Sequence, residues 1–393
     1  MTAILPGSTI GILGGGQLGR MLAMAARSFG YRVQVMDPDP SCPARFVVDA
    51  CFEGQWSDAR VAANLARGCD VVTLEIEQLS LDCLEAATQF APVRPGAAML
   101  GVIQDRILQK QWLCDHGFPL GDYRVARSAQ DVVEAAQALG GRCFVKSAHG
   151  GYDGRGQAKI GMGELSGSVE EQAREAWKLL GERPVVVEKA VDLDREISVM
   201  VARRPSGETR SFPSARNHHE HQILAWSVIP SGVEPRLEEQ AQELARSIAD
   251  QFTLEGLLAI EMFLTTDGRL LVNELAPRPH NSYHASERGC VTSQFEQGIR
   301  AICDLPLGEV AVVQPAAIVN LLGDLWLDAQ GNEHIPHFDR ALAVPGLRLH
   351  LYEKHSARKG RKMGHLSAVG STPEEAVARV LEAEKRLLEG CLT

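Results

Sequence analysis

The stretch TIGILGGGQLG, residues 9–19, runs from an apolar segment through three consecutive glycines into a helical pattern. That helical pattern covers residues 18–29 and ends at Gly30, a residue type that commonly terminates helices. Further apolar segments at residues 32–36 and 70–75 predict two more strands. Strands that alternate with helices in this way indicate a parallel, doubly wound sheet of the α/β class.

Within this stretch, residues 14–19 (GGGQLG) match the spacing G-x-G-x-x-G, and Asp37 lies 18 residues further on. This spacing is typical of dinucleotide-binding folds. Its physical basis is more general, because glycines let the backbone approach an anion and a helix N-terminus offers free N–H groups. The motif therefore predicts a phosphate group here. It leaves open a nicotinamide or flavin enzyme, another phosphorylated ligand, or a purely structural turn.

The length of 393 residues predicts two or three domains. A second unit is expected from residue 105, and a third, smaller one from about residue 310. The patterns that define these later units lie at residues 107–115 (helix), 143–146, 185–188 and 196–201 (strands), 238–251 (helix), 257–264 and 269–274 (a hairpin) and 373–389 (helix). Asp267-Gly268, between the two hairpin strands, is a sequence that tight turns favour.

Composition and charge exclude several classes of partner. Hydrophobic residues make up 45% of the chain and charged residues 23%, as in globular proteins. The formal net charge is −10 and the basic cluster at residues 358–362 is local, so we expect neither nucleic acid nor a membrane as partner. That cluster suits one phosphorylated small molecule. Nine cysteines without a C-x-x-C pair, and no signal-peptide or spanning pattern, predict reduced thiols in a cytoplasmic protein.

A second glycine-rich segment follows the predicted strand that Lys146 closes. It reads GGYDGRGQ, residues 150–157. Ordering such a flexible loop costs entropy, a cost that suits a lid closing over phosphates and excluding water. Lys146 would place one charge on an α- or β-phosphate, while Asp153 and Arg155 lie within the lid. The segment is not a Walker loop, because no G-x-x-x-x-G-K-[ST] pattern follows a strand. A surface loop with incidental glycines is the alternative.

A pair of glutamates lies in the predicted hairpin. Glu261 and Glu274 are on opposite strands, and Asn273 directly precedes the second one. Carboxylates in apolar strands are costly unless they meet a cation, and one or two carboxylates with nucleotide phosphates are a usual Mg²⁺ site. The hairpin therefore predicts a magnesium site, with water-facing edge glutamates as the alternative. Arg278, four residues on, is a candidate to bind an anion such as bicarbonate or carboxyphosphate.

Seven segments occur in the order found in one enzyme family: GILGGGQLGRM (11–21), DVVTLEIE (70–77), DRILQK (105–110), GGYDGRGQ (150–157), EKAVDLDREISV (188–199), NELAPRPHNS (273–282) and GRKMGHL (360–366). Through them the chain resembles, essentially from end to end, the N5-carboxyaminoimidazole ribonucleotide synthetases, ATP-grasp ligases of purine biosynthesis. The resemblance implies an ATP-grasp fold in three parts: a doubly wound substrate-binding domain (1–104), an ATP-grasp domain with a glycine-rich lid (105–305) and a small α+β domain (306–393).

The resemblance also implies an activity. Bicarbonate would attack the γ-phosphate of ATP to give carboxyphosphate and ADP, and the amine of 5-aminoimidazole ribonucleotide would then be carboxylated. Mg²⁺ would assist, and the family suggests a homodimer. The first glycine motif would hold the 5′-phosphate of this ribonucleotide rather than a dinucleotide. Asp153, or the released phosphate, would accept the amine proton.

The family pattern assigns roles by position, with residues 188–191 facing adenine and Glu196 the ribose. The residues implied in ATP binding are Arg106, Lys146, Gly151, Tyr152, Asp153, Gly154, Arg155, Gly156, Gln157, Glu188, Lys189, Ala190, Val191, Glu196, His219, Asn273 and Glu274. Those implied for the ribonucleotide are Gln17, Leu18, Glu75, Asp153, Lys354 and Arg361. The implied metal ligands are Glu261 and Glu274. The residues implied in the chemistry are Asp153, Arg155, Arg278 and Lys354.

Two departures from the family pattern concern substrate contacts. Tyr283 replaces a usual glycine, and would either narrow the substrate pocket or turn outward; residues 228–233 (VIPSGV) also differ. We interpret His218 and His221 as loop residues. The rival functions are a formate-dependent glycinamide ribonucleotide transformylase, a nicotinamide oxidoreductase and an inactive nucleotide-binding protein. The segments GGYDGRGQ and GRKMGHL favour the carboxylase over the transformylase.

Overall fold

The computed structural model of the protein describes residues 2–150, 156–328 and 330–389, and within them the strands form three sheets. The elements of the N-terminal part are β1 (Thr9–Leu13), α1 (Gln17–Ser28), β2 (Arg32–Asp37), β3 (Ala50–Glu53), α2 (Ala59–Ala66), β4 (Val71–Leu74), α3 (Leu81–Thr88) and α4 (Ala97–Ile103). Their strands pair in parallel in the order β3-β2-β1-β4. This is the parallel sheet that the sequence predicts.

Both faces of this sheet are covered. Ile10 and Ile12 of β1 pack in one core cluster with Leu22 of α1, whereas Leu13 packs in another with Leu65 of α2. Successive strand residues point to opposite faces, so helices on both sides bury a continuous apolar strand. The carboxyl ends of β1 and β4 therefore emerge at one edge of a rigid layer, where side chains can be positioned for a ligand.

The second sheet belongs to a small antiparallel layer. Its elements, with the helices around it, are α5 (Arg106–Asp115), β5 (Tyr123–Ala126), α6 (Ala129–Ala138), β6 (Cys143–Ser147), β7 (Gln157–Ile160), α7 (Val169–Leu179) and β8 (Val185–Lys189). The strand order is β5-β8-β6-β7. β6 and β7 flank the second glycine-rich segment and pair Lys146 with Gln157.

The third sheet is the largest and is antiparallel. Its elements are β9 (Leu193–Arg203), β10 (Thr209–Ser211), β11 (Ala215–Glu220), β12 (Ile223–Ile229), α8 (Pro235–Gln251), β13 (Gly256–Thr265), β14 (Leu270–Ala276), α9 (Ser286–Gly289), α10 (Gln294–Ile302), β15 (Ala316–Leu322), α11 (Phe338–Leu342), β16 (Arg348–Leu351), β17 (Lys362–Val369) and α12 (Pro373–Leu388). The order is β14-β13-β9-β11-β12-β15-β17-β16, with β10 on β9. The predicted hairpin is confirmed as β13–β14.

The C-terminal strands do not build a sheet of their own. β15 pairs with β12 and with β17, so the last part of the chain extends the sheet that β9 to β14 begin. The boundaries placed at residues 104/105 and 305/306 stay predictions. Within the described residues, no helix combines the length and the apolar character needed to cross a membrane.

Tyr283, one of the two departures from the family pattern, lies in the core. Its side chain is fully buried and its hydroxyl lies 2.8 Å from the carbonyl oxygen of Ser198 and 2.9 Å from that of Pro213. Its ring meets Phe212 edge to face, with centroids 5.7 Å apart. Both sequence-based interpretations were wrong, because the tyrosine neither narrows a ligand cavity nor turns outward.

Replacing this residue, Tyr283→Phe, should lower the free energy of unfolding by about 1–3 kcal/mol, because buried carbonyl groups lose their donor. Urea-induced unfolding measures the change. The matched control is Tyr123→Phe, since the Tyr123 hydroxyl makes no hydrogen bond within the described part of the chain. Equal midpoints for Tyr283→Phe and the wild type would show that the hydroxyl does not anchor the core.

Candidate active site

A cavity of about 980 Å³ gathers most of the predicted site residues. The predicted residues in its lining are Gln17, Leu18, Glu75, Arg106, Lys146, Gly156, Gln157, Glu188, Lys189, Val191, Glu196, His219, Glu261, Asn273, Glu274 and Arg278. Of the other predicted residues that the structure describes, Ala190, Lys354 and Arg361 are not part of the lining. Gly151, Tyr152, Asp153, Gly154 and Arg155 lie outside the described residues.

The first glycine turn is held by two carboxylates of the chain itself. Gly15 N–H donates to Asp37 Oδ2 at 2.7 Å, while Gly16 N–H and Gly19 N–H donate to the two carboxylate oxygens of Glu75 at 2.6 and 2.8 Å. Asp37 therefore faces the turn. In a dinucleotide-binding site that position would be turned toward a ribose. The spacing between the glycines and Asp37, which suggested a nicotinamide or flavin enzyme, is explained here by the hydrogen bond from Gly15 to Asp37.

Glu75 lines the cavity and shapes the turn at the same time. Burial raises the pKa of Glu75 to about 7, although the N–H groups of Gly19 and Gly16 act in the opposite direction. A Cβ atom on Gly16 would lie 2.5 Å from Glu75 Oε1, so only glycine fits against this carboxylate. The carboxylate also supplies the negative charge that a helix N-terminus favours.

A buried carboxylate organises the opposite side of the cavity. Glu188 Oε2 lies 2.7 Å from Lys146 Nζ, and Glu188 Oε1 lies 3.4 Å from Lys110 Nζ. Burial alone would raise the pKa of Glu188, but Lys146, Lys110 and Arg106 outweigh it and lower the pKa to about 2. Glu188 is thus ionised at neutral pH and faces two lysines. The sequence interpretation, which placed residues 188–191 opposite adenine, did not include Lys110.

The two predicted metal ligands are direct cross-strand partners in β13 and β14. Asn273 Nδ2 lies 3.5 Å from Glu261 Oε2, and Arg106 Nη2 lies 3.3 Å from Glu274 Oε2. Burial raises the pKa of Glu261 to about 7; His219 opposes this shift and the Glu274 carboxylate adds to it. The Glu261 side chain is 20% exposed and that of Glu274 is 41% exposed. Adjacent carboxylates repel each other, and this donor set suits a divalent cation with oxygen ligands.

His219 and Glu196 form an ion pair at the cavity wall. His219 Nδ1 lies 2.5 Å from Glu196 Oε2. Burial lowers the pKa of His219, but Glu196 outweighs burial and the pKa is raised. His218 is part of β11 and stacks on Trp226 with ring centroids 5.0 Å apart, so its interpretation as a loop residue was wrong. His221, in the turn after β11, lines the cavity.

Three further titratable groups that the sequence interpretation missed lie in or beside the site: Glu77, Lys110 and His280. Lys362, from the basic cluster expected to bind a phosphorylated small molecule, also lines the cavity. Arg278 Nε lies 2.7 Å from Glu77 Oε1, and His280 Nε2 lies 3.3 Å from Glu261 Oε1. Burial and the Arg278 charge lower the pKa of His280, so its ring is neutral. Each of the three missed groups lies within a motif segment quoted above, which was the available signal.

Lys354 and Arg361 lie on the segment between β16 and β17. The Lys354 ammonium is 5.7 Å from the ring centroid of Tyr352, and Arg361 Nη1 donates to the Ser356 carbonyl at 2.8 Å. Arg20 of α1 pairs with Glu353 at 2.9 Å, so this segment is attached to the helix that follows the first glycine turn. Their roles toward the ribonucleotide stay predictions.

These features define the class of the protein. Residues 111–295 match the ATP-grasp domain, residues 7–104 the ribonucleotide synthetase preATP-grasp domain, and residues 316–379 the phosphoribosylaminoimidazole carboxylase C-terminal domain. The chain is therefore an ATP-grasp ligase, which confirms the predicted fold class. The N5-carboxyaminoimidazole ribonucleotide synthase of Bacillus subtilis is 38% identical over 96% of this chain and 95% of its own length. The chain belongs to the N5-carboxyaminoimidazole ribonucleotide synthase family.

Solved structures agree with this assignment. An ADP complex of an N5-carboxyaminoimidazole ribonucleotide synthetase, 38% identical, covers 100% of both chains with a TM-score of 0.89. The enzyme from Aspergillus clavatus in complex with ADP and 5-aminoimidazole ribonucleotide is 30% identical, with a TM-score of 0.86 over 97% of this chain and 99% of that one. The resemblance drawn from the seven segments is thus confirmed.

Removing the buried charge, Glu188→Gln, should lower the free energy of unfolding at neutral pH by about 3–5 kcal/mol, because Lys146 and Lys110 lose their shared counter-ion. The pKa of Glu188 is about 2 in the folded protein and ordinarily 4.5. Its stabilisation is therefore complete above the ordinary pKa and is lost as the pH falls toward 2.

Urea-induced unfolding of wild type and variant at pH 7 and at about pH 3 measures this effect. The difference between the two proteins should be smaller at the lower pH. Glu85→Gln, on the exposed side of α3, is the control and should leave the midpoint unchanged. A Glu188→Gln penalty that is the same at both pH values would contradict the ionic explanation.

Proposed function

We propose that this protein carboxylates 5-aminoimidazole ribonucleotide to N5-carboxyaminoimidazole ribonucleotide with ATP and bicarbonate, releasing ADP and phosphate, in purine biosynthesis. One observation carries the proposal. A single cavity joins the first glycine turn, through Gln17 and Leu18, to the cationic and acidic groups Lys146, Arg106 and Glu274. The family relative from Aspergillus clavatus carries ADP and 5-aminoimidazole ribonucleotide together. A continuous cavity suits a reaction in which ATP activates bicarbonate for transfer to the ribonucleotide.

ATP would occupy the side of the cavity formed by β6, β8 and the hairpin. Lys146 pairs with Glu188, and Arg106 pairs with Glu274. When ATP binds, each of these two cations could leave its carboxylate and pair with a phosphate group. Backbone groups of residues 189–191 would meet adenine, and Glu196 with His219 the ribose. The lid, residues 150–157, would close over the phosphates, because transfer requires water to be excluded.

Mg²⁺ fits the donor set of the hairpin. Glu261 and Glu274 are cross-strand partners, and Asn273 Nδ2 lies 3.5 Å from Glu261 Oε2. Burial raises the pKa of Glu261 to about 7, and a bound cation would favour its ionised form. These residues would hold the metal. When bound, Mg²⁺ would neutralise phosphate charge during phosphoryl transfer.

The chemistry would run in two stages at Arg278. A bicarbonate oxygen attacks the γ-phosphorus and the bond to ADP breaks, giving carboxyphosphate. Arg278 would hold the carboxylate end of this intermediate, and Lys146 the phosphate charge. Carboxyphosphate then releases CO₂ and phosphate, and the ribonucleotide amine attacks CO₂ to form the carbamate. Asp153, or the released phosphate, would take the amine proton.

The ribonucleotide would lie against the glycine turn. Gln17, Leu18 and Glu75 line that end of the cavity, and Lys354 and Arg361 are on the segment attached to α1 through Glu353. Asp153 and Arg155 would approach from the lid. A homodimer and a cytoplasmic location remain predictions of the sequence.

The test is ADP release by the purified protein with MgATP and bicarbonate. Adding 5-aminoimidazole ribonucleotide should stimulate release strongly, and chelating Mg²⁺ should reduce it to background. Stimulation by glycinamide ribonucleotide and formate instead would identify a transformylase. No release under any of these conditions would favour a binding or redox role.

Substituting the basic residue on the segment attached to α1, Lys354→Ala, should raise the KM for the ribonucleotide about 10–100-fold, since a hydrogen bond to a charged group contributes about 1.5–3 kcal/mol. The KM for ATP should change little. Steady-state ADP release at varied ribonucleotide concentration measures both. Lys385→Ala, on the exposed face of α12, is the control. An unchanged ribonucleotide KM would mean that Lys354 does not contact this substrate.

A further inference from the structure

Glu75 and Glu77 follow the end of β4, and their carboxylates contact different halves of the cavity. Glu75 accepts the N–H groups of Gly16 and Gly19 at the first glycine turn. Glu77 pairs with Arg278, which follows β14 on the hairpin. One short segment of the N-terminal sheet therefore contacts both the turn proposed for the ribonucleotide and the arginine proposed for bicarbonate.

The Glu77–Arg278 contact fixes the arginine by one edge. Arg278 Nε lies 2.7 Å from Glu77 Oε1, and Arg278 Nη1 donates to the Pro279 carbonyl at 3.1 Å. The side chains are only 19% and 22% exposed, and both line the cavity. A guanidinium is planar, so holding its Nε edge sets the direction in which the remaining N–H groups point.

Arg278 has other carboxylates within electrostatic reach. Burial lowers the pKa of Arg278, but Glu77 outweighs it, with smaller contributions from Glu75 and Glu274, so that the pKa is raised. Without Glu77, the guanidinium would be drawn toward one of these two carboxylates and away from the orientation that Glu77 sets. The ion pair therefore selects one orientation among several that are electrostatically possible.

Glu77 is itself held by the backbone around it. Gln104 Nε2, at the end of α4, donates to the Glu77 carbonyl at 2.5 Å and also to the Leu79 carbonyl. The side chain of Glu77 thus projects from a fixed main chain, which is a requirement for a residue that positions another one.

We infer that Glu77 is a positioning residue, which orients Arg278 for the bicarbonate and carboxyphosphate half of the reaction. This inference rests on the proposed function. Glu77 does not touch the reacting atoms, and it acts through Arg278. Glu75 contacts the half of the site proposed for the ribonucleotide. The segment 75–77 therefore contacts both that half and the half proposed for bicarbonate.

The test is the variant Glu77→Ala, measured by ribonucleotide-dependent ADP release. The KM for bicarbonate should rise about 10–100-fold, the range typical when a supporting partner of a site residue is removed or a bound group is misplaced. The KM for ATP should stay within about twofold, because the Lys146 and Glu188 side of the cavity is unchanged. Glu77→Gln keeps an oxygen acceptor for Nε and should restore part of the loss.

A double-mutant cycle with Arg278→Lys separates positioning from a general structural effect. Arg278→Lys removes the Nε edge, so adding Glu77→Ala to it should change the bicarbonate KM little further. Glu85→Ala, with an exposed carboxylate on α3, is the control. Should Glu77→Ala fail to fold, Glu77→Gln carries the comparison, with a smaller rise expected.

Three results would overturn the inference. A wild-type bicarbonate KM in Glu77→Ala would show that Arg278 needs no support. Equal losses for ATP and bicarbonate, or effects of the two substitutions that simply add, would assign Glu77 a structural role. Absence of ribonucleotide-stimulated turnover in the wild-type protein would reject the proposed function and the inference with it, and this outcome is visible before any variant is made.

Discussion

The carboxylate of Glu188, buried between Lys146 and Lys110, makes the interaction on which the side of the cavity proposed for ATP depends. Burying cations costs free energy unless a counter-ion accompanies them, and Glu188 serves two lysines at once. Lys146, Lys110 and Arg106 hold its pKa near 2, so Glu188 is ionised at neutral pH. Under the proposed function, a phosphate group would replace the contact to Lys146 while Lys110 continues to hold Glu188 in place.

A second set of carboxylates explains why the first glycine motif resembles a dinucleotide site without being one. Asp37 and Glu75 take up the N–H groups of Gly15, Gly16 and Gly19. The sequence spacing is identical in both cases, because glycine is needed wherever a carboxylate or a phosphate approaches the backbone this closely. What differs is the second acidic partner, Glu75, which directly follows β4 and lies 59 residues from Gly16.

Local features of the site were predictable to a large extent. The Asp-Gly turn predicts the hairpin of β13 and β14 and so brings Glu261 close to Glu274, but their direct pairing depends on a register shift between Glu261 and Met262. The strand that contains Lys146 and the glycine-rich segment after it were also predictable from the sequence. Lys110 and Glu77 were not, since a charged residue in a helix or after a strand gives no sign of the partner that it meets across the fold.

The sequence by itself determined the class of fold, the order of the family segments and the residue types available for ATP, metal and ribonucleotide, because these depend on local periodicity, turn chemistry and motif order. Only the tertiary structure decided that Tyr283 fills the core, that Glu188 turns its side chain to two lysines, and that Glu77 meets Arg278. Each of these contacts joins elements far apart in the chain. Their partners depend on how the sheets pack and on the free-energy cost of leaving a buried polar or charged group unpaired. A local sequence pattern specifies neither the packing nor the partner.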